Sequence, residues 1–336
     1  MLQITVGANN RICGAATSLR AKITADLTVP NPEYAERKAK KRPLWGVDKY
    51  LRMYSLEGGD IIAPRGYLAD LMRLPEYVDA TIINQRNWMP PVDFGEWNPR
   101  YPLRQDQREA VAELLPVHSG VLKAPAGSGK TVIGMRLIQE LAQPTLWLTH
   151  TKDLLYQSRD KAEELLAGVG QVGIFGDGKH EWGDGKLFLA TVQTLGDNPA
   201  LISQLDSLVG CVIVDEAHHL PAVSFLDVVG KFAAARMYGL TATDERKDKL
   251  EVYLYRGIGP VIYEIDREGL YDAGRLIKPE IKFVFTQFGY EQAADRNELG
   301  SVDAGGEDMD YRALMDALVA DEARAKLVAE NILEHA

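Results

Sequence analysis

The stretch LKAPAGSGKT, residues 122–131, has the residue types of a phosphate-binding loop. Glycines let backbone N–H groups point at phosphates without a Cβ in the way. The lysine of such a loop adds a positive charge near the β- and γ-phosphates, and the hydroxyl after it ligates Mg²⁺. A β-rich run, GVLKA, enters the loop, and the helical pattern TVIGMRLIQELA leaves it. A helix N-terminus would therefore add its dipole behind the phosphates.

The strict pattern G-x-x-x-x-G-K-[ST] is not met, because Ala124 occupies its first position. The strand-loop-helix context nevertheless favours a phosphate site over a glycine-rich turn that happens to contain Lys-Thr. We therefore predict an ATP-binding segment, which consists of Ala126, Gly127, Ser128, Gly129, Lys130 and Thr131.

A second chemical element is CVIVDEAHHL, residues 211–220. Four apolar residues bring a strand to the carboxyl edge of a sheet, where ligands of open parallel sheets bind. Asp215 would hold Mg²⁺ there, and Glu216 would polarise the water that attacks the γ-phosphate. Asp-Glu after an apolar run is common by itself, and the upstream loop makes the pair specific. His218 and His219 lack the spacing of a zinc site.

The elements that must position these residues change character near residue 100. Before it, apolar segments are short and broken by turn residues, which predicts a small α+β domain over residues 1–98. Over residues 99–285, strand-like and helical runs alternate, which predicts an α/β lobe with a parallel sheet covered by helices on both faces. After the alternating runs, VIYEI and IKFVFTQF have strand patterns. Residues 286–336 contain an acidic, Gly-rich loop and then helical spacing.

Composition bounds the class of protein. The 336 residues suggest two or three domains, and the two cysteines, Cys13 and Cys211, cannot form a disulfide framework. No apolar run has the length of a membrane span and no signal peptide is evident, so we expect a soluble, cytoplasmic protein without a membrane partner. The net charge of −10 excludes an overall basic surface but not a local basic groove. The densest basic run, ERKAKKR at 36–42, is either a solvated face or a nucleic-acid contact.

APAGSGKT, DEAHH and GLTAT, in this order and spacing, resemble the superfamily 2 helicases and translocases of the DEAH-box type. The resemblance implies a RecA-like P-loop lobe that uses ATP and Mg²⁺, with Lys130 and Glu216 catalytic and Thr131 and Asp215 at the metal. The segment YPLRQDQREAV resembles the family's adenine-recognition segment, which implies that Gln107 reads the base edge.

Further segments resemble the family's nucleic-acid contacts, namely TLWLTHTKDLLYQ and LATVQTL. The resemblance implies that the nucleic-acid backbone is contacted by Thr151, Lys152, Gln157, Thr191 and Gln193. The resemblance also implies that His218, Thr241 and Thr243 link nucleotide state to strand binding. A capping or turn role is the alternative for Thr151, Thr191 and Thr243. His150 and Asp244 stand where the family usually has proline, so the turns there differ.

The run RGIGPVIYEIDREGLYDAGRLIKPEI resembles the xeroderma-pigmentosum group B-like and phage branch-migration helicases. Such proteins often carry a small N-terminal domain that senses duplex or damaged DNA. Residues 1–98 would have that role, or a structural or partner-docking role. The resemblance also favours DNA over RNA as the partner.

The family's motor needs a second RecA-like lobe whose arginines stabilise the transferred phosphoryl group. No Q-x-x-G-R-x-x-R segment occurs in this sequence. We therefore expect the second lobe to be missing here or to lie in another chain, and this chain alone to bind ATP–Mg²⁺ but hydrolyse it slowly. Three functions stay open: a helicase or translocase, a motor subunit of a restriction or phage-defence complex, and a nucleotide-switched binding module without efficient hydrolysis.

Overall fold

The computed structural model describes residues 2–216, 222–242, 251–272, 274–275 and 311–335. The chain divides into two compact units, Met1–Ile277 and Lys278–Ala336. Within the described residues, no helix has the length and apolar character needed to cross a membrane.

A five-stranded sheet and a two-stranded sheet form the N-terminal part of the first unit. The larger sheet has the order β5-β6-β2-β1-β7, and β3 pairs with β4. The strands are β1 (Gln3–Val6), β2 (Asn9–Cys13), β3 (Thr28–Pro30), β4 (Tyr50–Arg52), β5 (Ser55–Glu57), β6 (Asp60–Pro64) and β7 (Thr81–Asn84). The helices are α1 (Thr17–Asp26), α2 (Pro32–Ala39) and α3 (Leu68–Leu71). This arrangement confirms the predicted small α+β region.

The buried face of the N-terminal sheet follows from its sequence alternation. Successive side chains of a strand point to opposite faces, and Ile4, Val6 and Ile12 fall on the same one. They pack with Leu19 and Ile23 of α1 in a core of their own.

An eight-stranded sheet in the order β11-β10-β12-β9-β13-β14-β8-β15 forms the rest of the first unit. The strands are β8 (Ser119–Lys123), β9 (Thr145–Thr149), β10 (Gly173–Gly176), β11 (Lys179–Glu181), β12 (Leu187–Thr191), β13 (Cys211–Asp215), β14 (Arg236–Thr241) and β15 (Val261–Glu264). Among the described strands of this sheet, β11 at the edge pairs antiparallel and the others pair parallel, which confirms the predicted parallel sheet.

Helices cover both faces of the large sheet, which is why every residue of β9, β12 and β13 is buried. The helices are α4 (Gln105–Leu114), α5 (Lys130–Leu141), α6 (Lys152–Leu165), α7 (Val192–Gly196), α8 (Pro199–Asp206), α9 (Ala222–Val229), α10 (Glu251–Gly257) and α11 (Arg267–Asp272). One core contains residues of α4, α5 and α6, and a second core contains residues of α7 to α10. The α/β fold predicted from the sequence is therefore correct.

The segment between the two sheets, residues 85–104, has no regular helix or strand but is fixed to the large sheet. Phe94 is buried in the core beside α5 and α6. The side chain of Gln143 donates to the carbonyl of Met89 and accepts from its N–H, both at 3.0 Å. Its packing follows from side-chain contacts that have no periodic signal in the sequence.

The N-terminal part docks on α9 and α10, the helices that follow β13 and β14 in the chain. Asn9 Nδ2 donates to the carbonyl of Gly230 at 2.8 Å. Arg65 is buried, and its guanidinium donates to the carbonyl of Ala235 at 3.2 Å. Tyr253 of α10 is buried in the core of the N-terminal part. Both parts therefore belong to one packed unit.

We expect Gly66→Ala to destabilise this docking strongly. A Cβ at Gly66 would overlap the carbonyl oxygens of Tyr255 and Arg256, the latter at 2.7 Å, and backbone atoms cannot move aside as a flexible side chain can. Overpacking of this kind costs about 1–3 kcal/mol. Thermal unfolding measures the loss. The matched control is Gly196→Ala, where the nearest atom to an added Cβ is 3.8 Å away; equal melting temperatures for the two variants would contradict the expectation.

The second unit has two described helices, α12 (Tyr311–Ala320) and α13 (Glu322–His335). Asp321 separates them, and its carboxylate accepts from the backbone N–H of Arg324 at 2.9 Å, as an N-cap does. The helical spacing predicted over this stretch is confirmed. The predicted strand IKFVFTQF and the acidic, Gly-rich loop lie outside the described residues.

Candidate functional site

The loop from β8 to α5 turns on two glycines with positive φ, Gly127 at 80° and Gly129 at 83°. This left-handed region favours glycine because a Cβ clashes with the backbone there. At Gly129 a Cβ would also stand 2.5 Å from Nε2 of Gln107. Ala126 and Gly127 are exposed, while Ser128 is buried, and its hydroxyl has no hydrogen-bond partner within the described chain. The loop thus brings the backbone of Gly127 and Gly129 and the buried hydroxyl of Ser128 close together.

The side chains of Gln107 and Arg104 fix the glycine-rich loop through hydrogen bonds to its backbone. Gln107 is 3% exposed, and its Nε2 donates to the carbonyl of Ser128 at 3.1 Å. Its Oε1 accepts from the backbone N–H of Arg104 at 3.1 Å, and the Arg104 guanidinium donates to the same Ser128 carbonyl. Both ends of the Gln107 amide are thus bonded to this chain's own backbone, so base recognition by Gln107 stays a prediction. Arg104 was missed, although it lies three residues before Gln107 in the quoted segment.

Lys130 begins α5 and points back across the carboxyl edge of the sheet. Its side chain is buried, with Nζ 3.2 Å from Oε1 of Glu216 and 3.4 Å from the carbonyl of Ala124. The predicted lysine and the predicted carboxylate are therefore in direct contact.

Asp215 is the last residue of β13 and is 3% exposed. Burial, followed by the neighbouring charge of Glu216, raises the pKa of Asp215 to about 6. The positive charge of Lys130, the backbone N–H of Glu216 at 3.0 Å, and a hydrogen bond with the Thr131 side chain favour the carboxylate and limit that rise in pKa. Asp215, Thr131 and Lys130 thus form one cluster of polar and charged side chains.

Glu216 has φ of 49°, in the left-handed region that non-glycine residues rarely occupy. Backbone strain of this kind costs about 1–3 kcal/mol and is concentrated at functional sites. Here the strained turn brings the Glu216 carboxylate back over the sheet edge to Lys130.

A cavity of about 600 Å³ opens beside this cluster. Thr131 and Asp215 line it on one side, and Gln157, Ser158 and Lys161 of α6 line it on another. Residues predicted at the metal and a residue predicted at nucleic acid therefore share one cavity.

The residues predicted to contact nucleic acid follow two neighbouring strands, β9 and β12. Thr151 caps α6 by accepting from the N–H of Leu154, and Thr191 caps α7 by accepting from the N–H of Thr194, each at 3.3 Å. The capping role is thus present at both threonines. Lys152, Gln157 and Gln193 are exposed near the same edge, and Lys152 Nζ lies 3.5 Å from Asp177.

Thr241 ends β14 and is fully buried. Its carbonyl accepts from the N–H of Ala124 at 2.8 Å, which connects it to the start of the glycine-rich loop. His218 and Thr243, predicted with Thr241 to couple the two sites, lie outside the described residues.

The chain is similar to known proteins over this region. Residues 100–246 match the family model described as Type III restriction enzyme, res subunit. The DNA 3'-5' translocase XPB2 of Sulfurisphaera tokodaii is 29% identical over 218 residues, which are 64% of this chain and 47% of that protein. Over these residues the chain resembles the superfamily 2 helicases and translocases. The resemblance stated from the sequence is therefore confirmed.

Two further matches extend the comparison. The general transcription and DNA repair factor IIH helicase/translocase subunit XPB of Encephalitozoon cuniculi is 28% identical over 48% of this chain and 25% of that protein. The crystal structure of the UvsW helicase from bacteriophage T4 superposes with a TM-score of 0.58 over 78% of this chain and 99% of that chain, at 16% identity, and shows a shared fold. The chain spans less than half the length of both curated relatives.

Proposed function

We propose that this chain is the ATP-binding motor portion of a DNA helicase or translocase. The observation that carries the proposal is the contact of Lys130 with Glu216, beside the Thr131–Asp215 pair, at the carboxyl edge of a parallel sheet. Ligands of open parallel sheets bind at this edge. The names of the relatives, a DNA translocase and a helicase/translocase subunit, support DNA as the substrate.

The residues fit a magnesium-bound triphosphate. Gly127 and Gly129 adopt a backbone that leaves N–H groups free of a Cβ, and the helix N-terminus of α5 lies directly behind them. Thr131 and Asp215 supply the hard oxygen donors that Mg²⁺ prefers. The bound nucleotide would supply a phosphoanhydride bond whose hydrolysis releases the energy for movement.

Each residue of the site has a separate role in ATP binding or hydrolysis. Lys130 places a positive charge beside the phosphates, and Thr131 and Asp215 hold the metal. Glu216 orients a water molecule and accepts its proton. The pKa of Asp215, raised to about 6, still leaves this carboxylate mostly ionised at neutral pH and able to bind a cation.

Nucleic acid would bind along the carboxyl ends of β9 and β12. Lys152, Gln157 and Gln193 are exposed there, while Thr151 and Thr191 present the N-termini of α6 and α7. Helix N-termini bind phosphates through their unpaired N–H groups and dipole. The bond between Ala124 and Thr241 offers a route for coupling this edge to the loop, and we include His218 and Thr243 in that route.

A second RecA-like lobe, in this protein or in another chain, would complete the motor. Arginines supplied across such an interface change turnover by about 10³–10⁵. We therefore propose that residues 1–336 bind ATP–Mg²⁺ but hydrolyse it slowly without that lobe.

Lys130→Ala tests the nucleotide site. Hydrogen bonds to charged groups contribute about 1.5–3 kcal/mol, so ATP–Mg²⁺ affinity should fall by about 10- to 150-fold. Calorimetry or a fluorescent ATP analogue measures it. The matched control is Lys123→Ala, at the end of β8, where Nζ pairs with Glu264 at 3.0 Å. Unchanged affinity in the Lys130 variant would remove the proposal.

A motor subunit of a restriction or phage-defence complex is the second candidate, favoured by the description of the matching family model. The motor chemistry is the same in both. Co-purification of a nuclease or methyltransferase with the natural protein would decide for this candidate, and purification without one would decide against it.

A further inference from the structure

The N-terminal part has a basic segment between β3 and β4 that is not part of the proposed nucleotide site. We define the basic loop as residues 36–49, and it holds six Lys or Arg residues against Glu36 and Asp48. The whole chain, in contrast, has 38 Lys and Arg against 48 Asp and Glu. A cationic segment on an acidic protein creates a local field that selects polyanions.

The cations of the basic loop differ in how far they are neutralised. Arg37 pairs with Glu33 at 2.7 Å within α2, and Lys40 pairs with Glu36 at 2.8 Å at the C-terminal end of α2. Lys38 and Lys41 are exposed and have no carboxylate within ion-pair distance in the described part of the chain. Such side chains can bind an external anion without breaking a bond inside the protein.

Trp45 stands at the tip of this loop and is 93% exposed. The N–H of Val47 donates to the carbonyl of Leu44 at 3.1 Å, and Gly46 has φ of 76°. A glycine with positive φ at the third position is typical of a type II turn, and this turn lifts the second residue, Trp45, away from the chain. An indole so placed contributes no burial to this fold.

The base of the loop is fixed although its tip is exposed. Asn31 is 8% exposed, and its Nδ2 donates to the carbonyl of Asp48 at 2.8 Å. Its backbone N–H donates to the carbonyl of Lys49 at 3.0 Å, and its Oδ1 accepts from the N–H of Glu33 at 3.0 Å. Asn31 thus ties the start of α2 to the last two residues of the basic loop. This pre-organises the loop and lowers the entropy lost on binding.

We propose that the basic loop binds single-stranded nucleic acid, with Trp45 stacked on an unpaired base and Lys38 and Lys41 at the flanking phosphates. An exposed aromatic ring in the same short loop as exposed lysines matches this ligand, because each base has a π-face and each nucleotide a negative phosphate. A paired base is stacked inside its duplex and offers no face to Trp45. The helicase relationship makes DNA strands the natural source of unpaired bases.

Trp45→Ala tests the stacking. Anisotropy of a labelled single-stranded 15-mer and of a blunt hairpin duplex measures affinity for the full chain. Stacking on one base predicts about 5- to 150-fold weaker binding of the single strand. Trp45→Phe should recover most of it. The matched control is Trp88→Ala, half-exposed elsewhere in the fold. Equal losses for the two alanine variants, or equal losses on single strand and duplex, would overturn the proposal.

Lys38→Ala combined with Lys41→Ala tests the phosphate contacts. Each lost contact lowers the slope of log affinity against log salt by about 0.7 for a single strand, so the double variant should lose about 1.4. Trp45→Ala should leave that slope unchanged. Anionic phosphatidylserine vesicles are the competing ligand for a basic segment with an exposed tryptophan. Loss of vesicle binding in Trp45→Ala with unchanged oligonucleotide affinity would overturn the proposal in favour of a lipid surface.

This proposal uses the helicase relationship only to choose the class of ligand. ATP–Mg²⁺ affinity of Trp45→Ala should equal that of the unchanged chain, because the basic loop is outside the motor site. If Lys130→Ala retained nucleotide affinity, the motor proposal would fail while the Trp45 measurements still decided this one.

Discussion

Glu216→Gln should lower ATP turnover by the complete protein by about 10²–10⁴ and leave ATP–Mg²⁺ affinity within a few-fold. Glutamine keeps the shape of the side chain but cannot accept a proton from the attacking water. The contact of Glu216 with Lys130 is the structural basis, since it places the carboxylate at the sheet edge beside Asp215. Steady-state phosphate release and nucleotide titration together measure the two effects.

The matched control for this variant is Glu264→Gln. Glu264 ends β15 on the same sheet and pairs with Lys123 Nζ at 3.0 Å, but it is more than half exposed. Turnover by this control should stay close to that of the unchanged protein. Equal turnover in both variants would remove Glu216 from the role of base, whereas loss of nucleotide binding in Glu216→Gln would show a structural role.

Trp147→Ala should lower the free energy of unfolding by about 3–5 kcal/mol. Trp147 is fully buried on β9, the strand between β12 and β13. Gly134 of α5 makes room for the indole, because a Cβ there would stand 2.5 Å from Cη2 of Trp147. Truncation leaves a cavity between sheet and helix that the close-packed core cannot fill. Urea unfolding followed by circular dichroism measures the loss.

Trp88→Ala is the control for this stability change. Trp88 is half-exposed, and its ring contacts Arg236 and His118 at the surface. Its removal should change the free energy of unfolding by less than about 1 kcal/mol. Similar urea midpoints for the two variants would show that the α5–β9 contact contributes little.

The sequence predicted the large sheet well because its signal is local. Strands buried on both faces must be apolar throughout, and the runs LFLAT and CVIVD coincide with β12 and β13. The chemistry then follows from topology, since parallel strands end at a common edge. This is why the sequence predicts that Lys130 and Glu216 lie close together, as they do.

The packing of the N-terminal part could not be predicted in this way. It depends on the missing Cβ of Gly66 against the backbone of α10, and on a single buried guanidinium at Arg65. Neither contact has a period or a motif. The same holds for Gln107, whose bonds to the backbone of Ser128 and Arg104 depend on the exact position of the loop. Long-range, side-chain-specific contacts are therefore the part that the sequence does not reveal.

The docking of the N-terminal part on α9 and α10 has a mechanical consequence. A nucleic-acid strand bound at Trp45 would move together with the large sheet, because both belong to one packed unit. A movement of the proposed second lobe would then pull on a strand that is already fixed at Trp45. The strand contact and the nucleotide site would therefore lie on the same unit.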